Sequence, residues 1–134
     1  MSEHMWSNDY LNIPWKWGGD TKEGCDCLGV VKLAFKNQRK IDLKENSPNK
    51  IGDNYDMIHK AVELGAQIDN IKDLKEFDMV FFTIRGEVAH MGIMVNKFGY
   101  FLHQLEKKPS RVSNLNGDYW AKRFFCGIRL RELE

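Results

Sequence analysis

The sequence lacks a surplus of charge of either sign, since its 134 residues hold 20 Lys and Arg against 19 Asp and Glu. Strongly basic nucleic-acid binders and acidic solvating tails are therefore excluded, because both depend on charge of one sign. No eighteen apolar residues run together, and the segment from Met1 to Asn12 has no basic stretch followed by a sustained apolar one. The sequence thus predicts no membrane span and no signal peptide, which implies production in the cytoplasm.

Cysteine is scarce as well, because the chain contains only three, Cys25, Cys27 and Cys126. An odd number of cysteines in a chain that is 43% hydrophobic argues against a disulfide framework. A chain of this length buries roughly two-thirds of the surface of its unfolded form, so residues 1–134 can fold as one domain without metal or disulfides. We expect Cys25 and Cys126 to pack in the interior and one thiol to remain for chemistry.

Hydrophobic periodicity divides the chain into a helical first half and a strand-rich second half. Apolar residues from Cys27 to about Gln38 recur at helical spacing, with Asp26 at the N-cap position. A second helix is predicted from Asn54 to Leu64, with Gly65 as its C′ residue. Helices followed by a mostly antiparallel sheet indicate an α+β fold. The strands are predicted at Met79–Ile84, Val88–Val95, Tyr100–Leu105, Arg111–Leu115 and Phe124–Leu130.

Cys27 is the first candidate for chemistry because of its position at the predicted start of a helix. If Asp26 caps that helix, Cys27 lies in the first turn, where free N–H groups and the helix dipole favour thiolate over thiol. The N–H of Cys27 can also hold an oxyanion formed by attack of its own sulfur. The plainer alternative is a small buried hydrophobic residue.

A nucleophilic cysteine needs a base, and the sequence contains four histidines. His4 lies near the N-terminus and His59 on the polar side of the predicted second helix, so we expect both to be solvated. His90 and His103 lie on consecutive strands joined by a turn near residues 96–99.

The length of that turn decides whether the two histidines can meet. A two-residue or four-residue loop places them on one face, directly opposed or diagonal, whereas a three-residue or five-residue loop separates them. On one face, one imidazole can orient the other, and Cys27, His90 and His103 then have the form of a nucleophilic triad.

Several sequence blocks, in order and over about residues 10–131, resemble the NlpC/p60 family of cell-wall cysteine peptidases. That resemblance implies a papain-like fold with N-terminal helices on a mostly antiparallel sheet of five to six strands. The blocks are Ile13 to Gly19, Gly24 to Gly29, Phe77 to Phe82, His90 to Val95, Phe101 to His103, and the tail from Tyr119 to Arg129.

The resemblance also implies a role for each matching residue. Cys27 is then the nucleophile, His90 the general base and later the acid, His103 the orienting residue, and Trp15 the counterpart of an active-site tyrosine. The implied reaction is hydrolysis of an amide bond in the peptide stem of peptidoglycan, often after γ-D-glutamate, through a thioester and without a cofactor.

Two departures from the family pattern concern substrate choice. Leu28 replaces a serine that, in several members, contacts the free amino end of the stem peptide together with the preceding aspartate, here Asp26. Trp15 replaces a tyrosine, and an indole N–H donates a hydrogen bond but cannot accept one. We therefore expect Trp15, Asp26 and Leu28 to read the stem peptide in a different way.

The opening Tyr10 to Trp15 and the bulky Leu28 look like the compact family members of phage and prophage tail modules. The expected setting is then a phage tail, with other tail proteins as partners. A leaderless antibacterial effector and a catalytically silent tail-assembly domain are the alternatives. A metal site of Cys25, Cys27 and two histidines is a further alternative, although its spacing is not that of structural zinc sites.

Overall fold

A computed structural model describes residues 5–43 and 61–134. Among them, helix α1 spans Cys27–Arg39, as predicted, and ends at Lys40, which adopts a left-handed φ of 57°. Most of the predicted second helix lies outside the described residues, as do His4 and His59. Residues 61–63 are helical.

Six antiparallel strands form the main sheet of the described residues. The expected α+β architecture is confirmed, including all five predicted strands with bounds shifted by at most a few residues. The strands are Gly65–Ile68 (β3), Met79–Ile84 (β4), Glu87–Met94 (β5), Tyr100–His103 (β6), Arg111–Asn114 (β7) and Phe124–Leu130 (β8). Their spatial order is β3, β8, β4, β5, β6 and β7.

Shorter elements flank the helix and the sheet. Strands β1 (Asp20–Thr21) and β2 (Gly24–Cys25) form a small hairpin directly before α1, and helix α2 (Asp118–Ala121) precedes β8. None of the helices in the described parts of the chain is long and apolar enough to cross a membrane. Three short 3-10 helices are Trp6–Tyr10, Ile71–Asp73 and Arg131–Leu133.

Gly65 follows a helical end, residues 61–63 and the turn at Leu64, as predicted, but it lacks the left-handed φ of a C′ glycine and opens strand β3, opposite Leu130 of β8. A Cβ atom at Gly65 would overlap the carbonyl oxygen of Arg129. The glycine is therefore required by close approach of two backbones and not by a left-handed helix end.

The two faces of the sheet have different partners. Helix α1 packs on the face that presents Phe81, Ile93 and Leu102. The opposite face carries a second apolar cluster that includes Phe82 and Trp120. This second face is where the two histidines of the hairpin lie.

Polar side chains fasten the N-terminal segment to the connection that follows β6. The hydroxyl of Ser110 accepts from the N–H of Ile13 and donates to the carbonyl of Tyr10. Nε2 of Gln104 donates to the carbonyl oxygens of Ile13, at 2.8 Å, and Lys108, at 3.0 Å. These buried hydrogen bonds hold the segment before Trp15 beside the end of β6.

Candidate active site

Asp26 fixes the start of α1 and the loop that leads to it. One carboxylate oxygen accepts from the N–H of Gly29 at 2.7 Å, which is the predicted N-cap, and the other accepts from Gly18 at 2.8 Å. The backbone N–H of Asp26 donates to the carbonyl of Gly19. Cys27 is the first residue of the helix and remains partly exposed.

The electrostatics of Cys27 differ from the sequence expectation. Burial raises the pKa of its thiol to about 12, and the negative charge of Asp26 acts in the same direction. Backbone hydrogen bonds from Met91, Leu28 and Cys27 itself lower that pKa, but they do not outweigh the loss of hydration. The prediction of a thiolate favoured by the helix start is thus corrected: Cys27 rests as a neutral thiol.

The hydrogen bond from Met91 shows how Cys27 reaches the sheet. Backbone N–H groups along an antiparallel strand point alternately to its two neighbours. The N–H of Val95 donates to the carbonyl of Tyr100 on the β6 side. By the same alternation, the N–H of Met91, four residues earlier, also points to that side. Pairing with β6 ends where Gly92 faces His103. Met91 therefore directs its N–H past the end of β6, at the sulfur of Cys27.

His90 and His103 meet on one face of the β5–β6 hairpin, which confirms the same-face prediction. The turn has four residues between Val95 and Tyr100, so the histidines are diagonal neighbours. Nε2 of His90 lies 2.8 Å from Nδ1 of His103. Both side chains are buried, with 3% and 0% of their surface exposed.

Burial also sets the charge of the pair. It lowers the pKa of both imidazoles because their charged forms lose hydration. The neighbouring His90 and the Arg111 guanidinium lower the pKa of His103 further. Both rings are consequently neutral near pH 7, and one must donate the shared hydrogen bond while the other accepts it.

Trp120 closes the histidine pair from the other side. Its ring stacks on His90, with centroids 5.5 Å apart and planes at 29°, and meets His103 edge-on at 5.0 Å. Trp120 also packs against Phe82 and Phe101. Its contact with both imidazoles depends on the long-range return of the chain after β7.

Ser113 is a site residue that the sequence did not indicate. Its hydroxyl oxygen lies 2.8 Å from Nε2 of His103. On β7, Arg111 lies opposite His103 and Ser113 opposite Phe101, so Ser113 is diagonal to His103 on the same face. The irregular connection over residues 104–110 hides this register from any pattern in the sequence.

The residues expected to read the substrate are not equally available. Asp26 is 1% exposed and Leu28 3% exposed, so neither offers the surface that direct contact with a stem peptide requires. Trp15 is partly exposed and pairs with Cys25 through a backbone bridge. Its ring lies 5.9 Å from that of the exposed Trp17.

The other two cysteines lie in the interior. Cys126 is buried in the core, as predicted. Cys25 is buried too, in strand β2, and its thiol donates to the carbonyl of Thr21 at 3.1 Å. Within residues 5–43 and 61–134, no three or more His, Cys, Asp and Glu side chains are grouped so that they could hold a metal ion.

A cysteine at the start of a helix and a buried histidine pair on an antiparallel sheet are the features that the sequence resemblance led us to expect. The NlpC/P60 family profile matches residues 12–129. The chain therefore belongs to the NlpC/P60 family, and the resemblance inferred from its sequence blocks is confirmed.

Curated relatives include the murein DD-endopeptidase MepS/murein LD-carboxypeptidase of Escherichia coli strain K12. It is 26% identical over 116 residues, which are 87% of this chain and 55% of that protein. The probable endopeptidase NlpC of the same strain is 29% identical over 129 residues, covering 92% of this chain and 75% of that protein. The chain thus spans about half the length of MepS.

Solved structures of low sequence identity share the fold. The NlpC/p60 domain of the peptidoglycan hydrolase SagA superimposes with a TM-score of 0.64 at 17% identity, covering 92% of each chain. An NlpC/P60 family protein from Bacillus cereus gives a TM-score of 0.68 at 20% identity, covering 96% of this chain and 38% of that one. These likenesses confirm the expected α+β fold of NlpC/P60 domains.

Proposed function

We propose that this chain is a cysteine peptidase that hydrolyses an amide bond in the peptide stem of peptidoglycan. In this proposal Cys27 is the nucleophile, His90 the general base and His103 the residue that orients it. The observation that carries the proposal is the 2.8 Å contact of the two buried imidazoles, next to the backbone N–H that reaches the sulfur of Cys27. The murein endopeptidases among the relatives support the choice of substrate.

The neutral resting state favours general-base catalysis over a preformed thiolate. Nε2 of His90 is engaged with His103, which leaves Nδ1 of His90 as the nitrogen that takes a proton. As the sulfur of Cys27 attacks the carbonyl carbon, its proton moves to that nitrogen. The N–H of Cys27, at the start of the helix, stabilises the oxyanion that forms.

The remaining steps are release of the amine and hydrolysis of the thioester, and they restore the starting protonation of Cys27 and His90. The imidazolium of His90 gives its proton to the leaving amine, and the carbon–nitrogen bond breaks to leave a thioester on Cys27. Water then attacks the thioester as His90 accepts one of its protons. Collapse of this second intermediate releases the carboxylic acid and returns the proton to the sulfur.

We propose the bond after γ-D-glutamate as the one cleaved, with Trp15 as the substrate contact. Trp15 keeps part of its surface exposed, whereas Asp26 and Leu28 are buried and act by holding the helix start in place. An indole N–H suits a carbonyl of the stem peptide, because it donates and does not accept.

Mass spectrometry of defined peptidoglycan fragments, with and without the purified protein, tests this function. We expect a single amide bond to be cleaved, Cys27→Ala to be inactive, and the matched control Cys126→Ala to remain active. Absence of cleavage by the unmodified protein across stem peptides and cross-bridges would favour a catalytically silent domain. Full activity of Cys27→Ala would refute the assignment of the nucleophile.

We also propose a phage tail as the setting, with tail proteins as partners. The support is the likeness of the segment Tyr10 to Trp15, and of Leu28, to family members of phage and prophage tail modules. Immunodetection of the chain in purified phage particles tests the proposal, since an effector peptidase would be absent from them.

A further inference from the structure

Ser113 stands at the end of a chain of buried hydrogen bonds that begins at His90. Nε2 of His90 lies 2.8 Å from Nδ1 of His103, and Nε2 of His103 lies 2.8 Å from the hydroxyl oxygen of Ser113. Each imidazole therefore has one ring nitrogen committed to the His90–His103 contact. The remaining nitrogen of His103 is committed to Ser113.

The proton positions along this chain can take two forms while the rings are neutral. In the first form, His90 donates from Nε2 to His103, and His103 donates from Nε2 to Ser113. In the second form, Ser113 donates to His103, and His103 donates from Nδ1 to His90. A hydroxyl serves in both forms because it can donate and accept.

Only the first form is compatible with the proposed chemistry. In the second form Nδ1 of His90 carries the proton of the neutral ring and cannot act as a base. When His90 accepts a proton it bears N–H on both nitrogens, so Nδ1 of His103 must be the acceptor. His103 then carries its own proton on Nε2, and Ser113 is the acceptor within reach.

We infer that Ser113 is a positioning residue that accepts the Nε2 proton of His103 and so holds both histidines in the tautomers that let His90 act as base. This inference rests on the proposed function of His90. An alanine at this position leaves the Nε2–H of His103 without its acceptor in a buried site. The tautomer of His103 with its proton on Nδ1 then becomes more populated. In that tautomer His103 donates to Nε2 of His90, so His90 carries its own proton on Nδ1, which is the nitrogen needed as the base.

The ionisable groups around His103 do not replace the hydroxyl as a hydrogen-bond acceptor. His90 on β5 and Arg111 on β7 are the groups that act on its pKa, and both lower it. A guanidinium carries only donors, so Arg111 cannot accept the Nε2 proton. Trp120 meets the ring edge-on and its indole also lacks an acceptor.

Kinetics of two variants test the inference on the same peptidoglycan fragments. Ser113→Ala is expected to lower kcat about three- to tenfold with little change in KM, which is the value of one hydrogen bond in the reactive state. Ser113→Thr keeps the hydroxyl and is expected to retain kcat within about twofold. The matched control is Ser7→Ala, since the buried hydroxyl of Ser7 has no hydrogen-bond partner among the described residues.

Nitrogen NMR of the imidazoles at neutral pH supplies a readout that does not depend on activity. We expect the unmodified protein to carry the proton of His103 on Nε2, and Ser113→Ala to move part of it to Nδ1. A His103 protonated on Nδ1 in the unmodified protein, or an unchanged kcat in Ser113→Ala, would overturn the inference. An inactive unmodified protein with the expected tautomers would refute the proposed function alone.

Discussion

Replacement of Asp26 by asparagine should separate the structural role of this side chain from its electrostatic one. Asparagine is as good an N-cap as aspartate, so the bond to Gly29 survives. The second oxygen becomes an NH₂ group that faces the N–H of Gly18, and the hydrogen bond there is lost. Because Asp26 is 1% exposed, the new NH₂ group is a buried donor without an acceptor, and this costs about 1–3 kcal/mol of unfolding free energy.

The same substitution removes the charge that raises the pKa of Cys27. The pKa of this thiol should therefore fall, and its alkylation rate at a given pH should rise while the protein becomes less stable. Urea unfolding and pH-dependent alkylation of Cys27, read by mass spectrometry, measure the two effects. Because burial remains the larger cause, the rate should still climb with pH above neutrality.

Asp20→Asn is the matched control for loss of a carboxylate near the helix start. Asp20 is half exposed and pairs with Lys32 at 3.7 Å, so its removal should change stability by less than about 1 kcal/mol. Its charge acts on Cys25 and should leave alkylation of Cys27 unchanged. Unaltered stability and an unaltered Cys27 rate in Asp26→Asn would refute the reasoning, as would a rate plateau below pH 7 in the unmodified protein.

Other expected outcomes concern the histidine pair and the sheet. Trp120→Leu uncovers the imidazoles, so NMR titration should show the pKa of His90 moving back toward its usual value; an unmoved pKa would contradict this. Two nitrogens of Arg129 bind the buried carboxylate of Asp78 at 2.7 and 2.8 Å, so Arg129→Ala leaves that carboxylate without its partner. The unfolding free energy measured in urea should fall by about 3 kcal/mol, and a loss below about 1 kcal/mol would contradict this. The pKa values of His90 and His103 are lower in the folded protein than in the unfolded chain, so below about pH 6.5 the unfolded chain binds more protons. As the pH is lowered from 6.5 to 5, the unfolding free energy should therefore decrease by up to about 1.4 kcal/mol per pH unit for each histidine. An unfolding free energy that stays constant over this range would contradict the prediction.

Strong local patterns predicted helix α1 and strands β4 to β8, while no pattern in the sequence indicated β1, β2 and β3. Helix α1 combines an apolar face with an N-cap, and both signals lie within its own residues. Strands β1 and β2 have two residues each, too few for any alternation to show. Strand β3 lies at the edge of the sheet, and its Gly65 was interpreted as a helix end because only pairing with β8 reveals the close backbones.

The candidate site divides in the same way. The sequence by itself placed Cys27 at a helix start and, given a four-residue turn, His90 and His103 on one face, because capping and hairpin register are local properties. Only the tertiary structure added Ser113 and Trp120, which reach the pair through long-range strand pairing.

Tertiary structure also decided the charge state of the site. A helix start by itself favours a thiolate, yet burial raises the pKa of Cys27 and lowers that of both histidines. Desolvation depends on which distant residues surround a group, and no local spacing records it. The sequence thus determined which groups can react, and the packing of the folded chain determined that they start out neutral.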